Sequence, residues 1–163
     1  MKPYRYLLIS LFVFLLDLIS KFFLISKMRI GDEKEIFPIF TLVHWQNRGG
    51  LWGFLSNSSN KVTTIFFLII PIIGILFIFY LLFITRDKVE LVLLSAMIGG
   101  GIGNLFDRIL NGAVTDFIYF HLPNNGWGWP AFNFADAFLS VSLFLYVLKI
   151  LFKKEEKVAP YTL

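Results

Sequence analysis

Cysteine is absent from the 163 residues, which excludes disulfides, thiolate metal sites, cysteine nucleophiles and a lipid-modified N-terminal cysteine, and leaves the redox compartment open. Charge is scarce as well. Asp, Glu, Lys and Arg together make up 16% of the chain, against roughly a quarter in soluble proteins. Histidine occurs only as His44 and His121, in separate connections and without paired ligand spacing, so no metal centre is expected. Nor does a serine, histidine and acid set present itself, and Lys21 has no compelling nucleophile partner for a serine–lysine mechanism. No cofactor is expected. Any hydrolytic chemistry must rest on acids and water.

What fills the chain is apolar: 57% of residues are hydrophobic, 20 of them phenylalanine, and the mean hydropathy is +0.73. A soluble domain cannot hide that much apolar surface. The length suits one compact membrane domain over 1–163, with no room for a separate soluble module. The net charge of +4 is dispersed, with its densest run at Lys149, Lys153, Lys154 and Lys157. That favours an anionic membrane surface over nucleic acid as a partner.

Four segments are long and apolar enough to span a hydrocarbon core of about 30 Å: 7–26, 62–84, 91–110 and 134–152. The first follows Lys2 and Arg5 like a secretory signal, but no small-residue cleavage site follows it, and the pattern continues through Asp17 and Lys21, so it reads as a retained helix. The second is free of charge, with Pro71 implying a kink. The third contains GGGIGN, whose Gly99 and Gly103 would admit a close helix, placing this span at the bundle centre.

The connections at 27–61 and 111–133 are long, whereas 85–90 is tight and charged. In the first, β-branched and aromatic residues mixed with Gly49, Gly50 and Gly53 suggest short strands and turns at the interface. The other long one holds VTDFIYF and a turn-rich PNNGWGWP, whose Trp127 and Trp129 suit an interfacial aromatic belt. The expected fold class is an all-α membrane protein of four transmembrane helices, with a small β-containing extracytoplasmic subdomain and an interfacial loop. Basic residues occur on both sides. The first helix and the basic C-terminal tail favour cytoplasmic termini.

Ionisable residues within spans cost roughly 2.5–3.5 kcal/mol each at a helix centre, so each is a functional hypothesis. Asp17 and Lys21 are four apart, which permits either an intrahelical ion pair or contact with a substrate or active loop. Asp107 and Arg108 lie near the end of the third span, where a charge at the interface is cheap, a snorkelling or loop-anchoring role is the simple reading, and Arg108 could also meet a carboxylate or a lipid phosphate. Asp116 follows that span and Asp136 opens the fourth. If the two helices are neighbours, both carboxylates converge at one membrane face. Such a pair shares a proton and can activate water, although helix-end aspartates also serve as N-caps or ion-pair members.

The ordered set DLISK, QNRGGLWG, GGGIGNLFDRILNGAVTDFI and PAFNFADAFLS resembles the lipoprotein signal peptidase family, bacterial signal peptidase II, over nearly the whole chain. The resemblance implies an intramembrane aspartic endopeptidase of the bacterial inner membrane. Its substrates would be diacylglyceryl-modified prolipoproteins, cut before the lipid-modified cysteine at a site near the extracytoplasmic face. Membrane lipids would be its other partners, and the enzyme would be a monomer. Asp116 and Asp136 fall on the family's catalytic pair. Asp17, Lys21, Asn47, Gly49, Asn104, Arg108 and Asn133 fall on its other motif positions, where they would support the dyad or hold the substrate. The chain departs from the family pattern at Leu18, Ser20, Gly50 and Leu51, which touches loop conformation or substrate preference but not the dyad.

A small transporter or ion pathway is the competing class, since membrane acids also serve proton relays. It predicts functional charges near the bilayer midplane and related halves. Asp116 and Asp136 lie at helix ends instead, and no internal repeat is present.

Overall fold

The structure, a computed structural model, describes residues 2–48, 61–123 and 126–152. After a 3-10 turn at Pro3–Tyr6 come α1 (Leu7–Ile25), β1 (Glu33–Phe37), β2 (Phe40–Asn47), α2 (Lys61–Ile84), α3 (Lys88–Asn111), β3 (Val114–Phe120) and α4 (Phe134–Leu151). All four helices are long and apolar enough to cross a bilayer. Their outward faces remain apolar, with residues such as Phe12, Phe22, Phe77 and Phe144 exposed, as expected where lipid is the solvent.

α3 is the centre of the bundle and packs against each of the other three helices. Three consecutive glycines explain how. A Cβ at Gly99 would lie 2.6 Å from the Ser10 carbonyl oxygen on α1, one at Gly100 2.5 Å from the Ala135 carbonyl oxygen on α4, and one at Gly101 2.9 Å from Ile75 on α2. Each glycine therefore faces a different helix, and a methyl group at any of the three would push one away. Towards the end away from the sheet, the bundle closes on Leu82, Leu91, Leu94, Met97 and Ile98. α2 continues as helix through Pro71.

α3 begins at Lys88, three residues before the expected Leu91, and leaves a connection shorter than 85–90. The cause is local: Asp87 accepts from the backbone N–H groups of Val89 and Glu90 and caps the helix, while Thr85 takes up the Glu90 carboxyl group. Lys149 on α4 forms an ion pair with Asp87. Asp87 is held near a pKa of about 2, chiefly by the Lys149 bond and then by the backbone donors.

The β subdomain is a three-stranded antiparallel sheet in the order β1-β2-β3. The first two strands form a hairpin, as expected of 27–61. The third comes from the other long connection, a pairing of segments some 70 residues apart, with Asn47 opposite Val114 and Trp45 opposite Asp116. His44, expected as a loop residue, is a buried β2 residue whose Nδ1 bonds the Met28 carbonyl.

β3 leaves α3 through Gly112, whose φ of 69° lies in the left-handed region open to glycine. Phe132 then pairs with Ile118 through backbone bonds of 2.9 and 3.0 Å in both directions. That pairing returns the chain to the sheet immediately before α4. It sets Asn133 beside Asp116.

Candidate active site

Asp116 is buried on β3 and Asp136 lies in the first turn of α4. Asn133 joins them. As N-cap of α4 it accepts from the Asp136 backbone N–H at 2.8 Å, while its own backbone N–H donates to Asp136 Oδ2 at 3.3 Å, a reciprocal capping box. Its Nδ2 donates to Asp116 Oδ1 at 2.9 Å, to Asn104 Oδ1 at 3.1 Å and to the Thr115 carbonyl at 3.2 Å. With 0% exposure, this amide must be satisfied inside the protein, and it is.

The remaining carboxylate oxygens also meet amide donors. Asn104 on α3 donates to Asp136 Oδ1 at 2.6 Å, and Asn47, the last residue of β2, donates to Asp116 Oδ2 at 3.3 Å. Four donors from three asparagines thus address two acids. Asparagine suits the place, because it gives a hydrogen bond without adding another negative charge. Burial and then the charge of Asp136 raise the pKa of Asp116 to about 7, against the lowering effect of Asn47, Lys21 and Asn133. A carboxyl group that titrates near neutrality can hold a proton in one step and lose it in the next.

Behind this pair lies a second polar cluster. Lys21 Nζ is 2.7 Å from Asp17 Oδ2, 3.3 Å from Asp107 Oδ2 and 3.3 Å from Asn104 Oδ1. The intrahelical pair foreseen for Asp17 and Lys21 is present, but it serves other elements as well. The second Asp17 oxygen accepts from the Ala135 backbone N–H at 3.0 Å and ties α1 to the start of α4. By occupying Asn104 Oδ1, Lys21 leaves the amide nitrogen to face Asp136. Gly103 makes the space, since a Cβ there would stand 2.8 Å from Asp17 Oδ2.

Asp107 corrects an expectation. It is not a charge at the interface but is buried at 5% exposure, and it anchors the following segment: Oδ2 accepts from the Thr115 backbone N–H at 2.6 Å and Oδ1 from Asn111 at 2.6 Å. It therefore holds β3 one residue before Asp116. The signal was available in the spacing of Gly103, Asn104, Asp107 and Asn111, which share one face of α3. Arg108 is half-buried near Asp136, Asp116 and Asp107, whose charges act on it. Its Nε has no hydrogen-bond partner among the described residues. Gly49, with Gly50 and Leu51, lies outside the described residues.

The model of the family described as signal peptidase (SPase) II matches residues 9–152. This chain belongs to the signal peptidase II family. It is similar to the lipoprotein signal peptidase of Aquifex aeolicus (strain VF5), 34% identical over 149 residues, covering 91% of this chain and 87% of that protein. It is also similar to that of Staphylococcus aureus (strain Newman), 36% identical over 160 residues, with 93% of each covered. A solved bacterial membrane enzyme, determined by the in meso method at 2.3 Å, superposes with a TM-score of 0.78 at 31% identity, covering 95% of this chain and 94% of that one. As a signal peptidase II family member, the protein is a multi-pass inner-membrane aspartic peptidase that removes signal peptides from prolipoproteins. Its fold is four spanning helices with a small three-stranded sheet.

Proposed function

We propose that Asp116 and Asp136 are the catalytic pair of this peptidase, cleaving the bond before a diacylglyceryl-modified cysteine. The observation that carries the reading is the single buried Asn133 bonded to both carboxylates. One carboxylate takes a proton from water as the water oxygen adds to the scissile carbonyl, and the protonated partner donates to the developing oxyanion. Collapse of the tetrahedral intermediate then expels the amine, which takes up a proton from the pair. The pair enters the cycle sharing one proton, and burial favours the neutral form of Asp116. The bond broken is the amide, and no covalent enzyme intermediate forms.

The supporting residues divide by contact. Asn47, Asn104 and Asn133 orient the pair; Asp17 and Lys21 orient Asn104 and the start of α4. Arg108, whose Nε has no partner among the described residues, supplies a planar donor for a substrate carbonyl. Gly49, outside the described residues, is included on its motif position alone. The whole of 1–163 acts as one monomeric domain with cytoplasmic termini and an extracytoplasmic site. Trp127 and Trp129 are exposed beside an apolar recess of about 450 Å³ with Ile39, Phe120 and Phe132, which supports an interfacial position for this loop.

The test is cleavage of a diacylglyceryl-modified prolipoprotein by purified protein. Asp116→Asn and Asp136→Asn should each abolish cleavage while still melting cooperatively as folded proteins. Full activity in either folded variant removes the dyad, and equal cleavage of unmodified precursor removes the lipid requirement.

A further inference from the structure

A second cavity, of about 350 Å³, lies between the end of α1 and the sheet. Leu24, Met28, Leu42 and Phe117 form its apolar walls, and Lys27 and Lys34 line it as its charged residues. Both lysines are exposed, and neither has an ion-pair or hydrogen-bonding partner for its ammonium group among the described residues. This contrasts with Lys21 and Lys149, which are paired with acids.

The alternation of β1 sharpens the contrast. Successive strand residues point to opposite faces. Glu33 and Glu35 line a polar recess with Thr41 and His121 on one face, whereas Lys34 alone turns to the cavity beside α1. The charges of β1 are thereby sorted: Glu33 and Glu35 on one side, Lys34 on the side of the spanning helix. Lys27 follows immediately after the α1 C-terminus at Ser26, so it stands where a spanning helix leaves the hydrocarbon. Two cations over apolar walls at that depth match an anion that carries acyl chains.

We infer that this cavity is a binding site for an anionic diacyl phospholipid of the sheet-side leaflet, its phosphate between Lys27 and Lys34 and its glyceryl end against Leu42 and Phe117. This ligand is distinct from the substrate, whose diacylglyceryl group carries no phosphate. Phe117 follows Asp116 on β3, so a bound lipid would press on the strand that carries a member of the proposed dyad. The occupant is committed by charge: a neutral or zwitterionic lipid leaves the two ammonium groups without net compensation.

The experiment places the full chain in nanodiscs of phosphatidylcholine with a minor fraction of phosphatidylglycerol and counts retained phosphatidylglycerol by native mass spectrometry. The wild type should retain one more molecule than the Lys27→Gln/Lys34→Gln variant, with apparent affinity falling on the order of tenfold or more in the variant. An Arg86→Gln/Lys88→Gln variant removes equal charge from exposed residues at the opposite membrane face and should retain lipid as the wild type does. Equal retention by the Lys27/Lys34 variant and the wild type overturns the site. Equal loss in both variants replaces it with non-specific attraction. Displacement by soluble glycerol phosphate at matched concentration overturns the phospholipid as occupant, since the headgroup alone would then suffice. Because binding is read directly, a failure here is distinct from any failure of the catalytic assignment.

Discussion

Asn133 holds Asp116 through its side chain, 2.9 Å from Nδ2 to Oδ1, while serving as the N-cap of the helix that carries Asp136. One residue thus performs a folding task and a chemical one, and substitutions can separate them. Aspartate caps helices about as well as asparagine, so Asn133→Asp should keep α4 and lose no more than about 1 kcal/mol through the cap. It would also place a third acid against the pair, and kcat should fall by about a hundredfold or more. Circular dichroism and melting in detergent check the first outcome, and lipidated-substrate cleavage the second. A fully active Asn133→Asp enzyme would show that the amide donor is dispensable.

Asp107 should behave as a positioning residue. Its replacement by alanine leaves the buried Thr115 N–H without its acceptor, a loss of about 1–3 kcal/mol, and frees the strand just before Asp116. kcat should drop about tenfold or more with KM little changed, since a misplaced reacting group costs rate before it costs binding. Asp107→Asn retains an acceptor oxygen and should recover most of the rate. Steady-state kinetics on the two variants decide it: equal loss in both, or none in either, removes the proposed strand clamp.

These relationships also mark how much the sequence discloses. Spanning helices are legible because each is a local pattern, and the glycine run already points to α3 as the centre. Asp17 and Lys21 are legible as a pair because they are four apart. The spacing of Asp107 with Gly103, Asn104 and Asn111 marks a polar face, but its partners are not legible, because Lys21 and Thr115 come from a distant helix and from backbone whose course depends on Gly112. β3 is obscured for the same reason. Its partner strand is fixed by tertiary register, and VTDFIYF alone does not say what it pairs with. The dyad emerges from motif order, whereas the Asn133 bridge requires the return of Phe132 to the sheet.

The glycines of α3 offer a stability test independent of catalysis. Gly100→Ala would drive a methyl group to 2.5 Å from the Ala135 carbonyl oxygen, a backbone atom that cannot move without α4. A cost of about 1–3 kcal/mol is expected, or a melting decrease of roughly 2–4 °C per kcal/mol in a chain of this size. At Gly74 on α2 an added Cβ meets nothing within 4 Å. Gly74→Ala should therefore be neutral or stabilise by up to about 1 kcal/mol through helix propensity. Similar melting of the two variants would contradict the close α3–α4 approach.

The raised pKa of Asp116 gives both activity and stability a defined pH dependence. Its ordinary value is 3.8 and its value in the fold is about 7, so between these limits the native state holds a proton that the unfolded chain has released. The unfolded state then binds fewer protons, and stability falls as pH rises through this window. The contribution is fully favourable below about pH 4 and lost above about pH 7. Asp116→Asn removes the titrating group while keeping a polar side chain of the same shape, so its melting temperature should exceed that of the wild type by more at pH 8 than at pH 4. In the wild type, kcat/KM should decline above about pH 7 as the proton donor empties. Parallel melting curves for wild type and Asp116→Asn across pH 4–8 would show that this carboxyl group is not held neutral by the fold. An alkaline limb displaced well above pH 8 would assign the proton donor to another group.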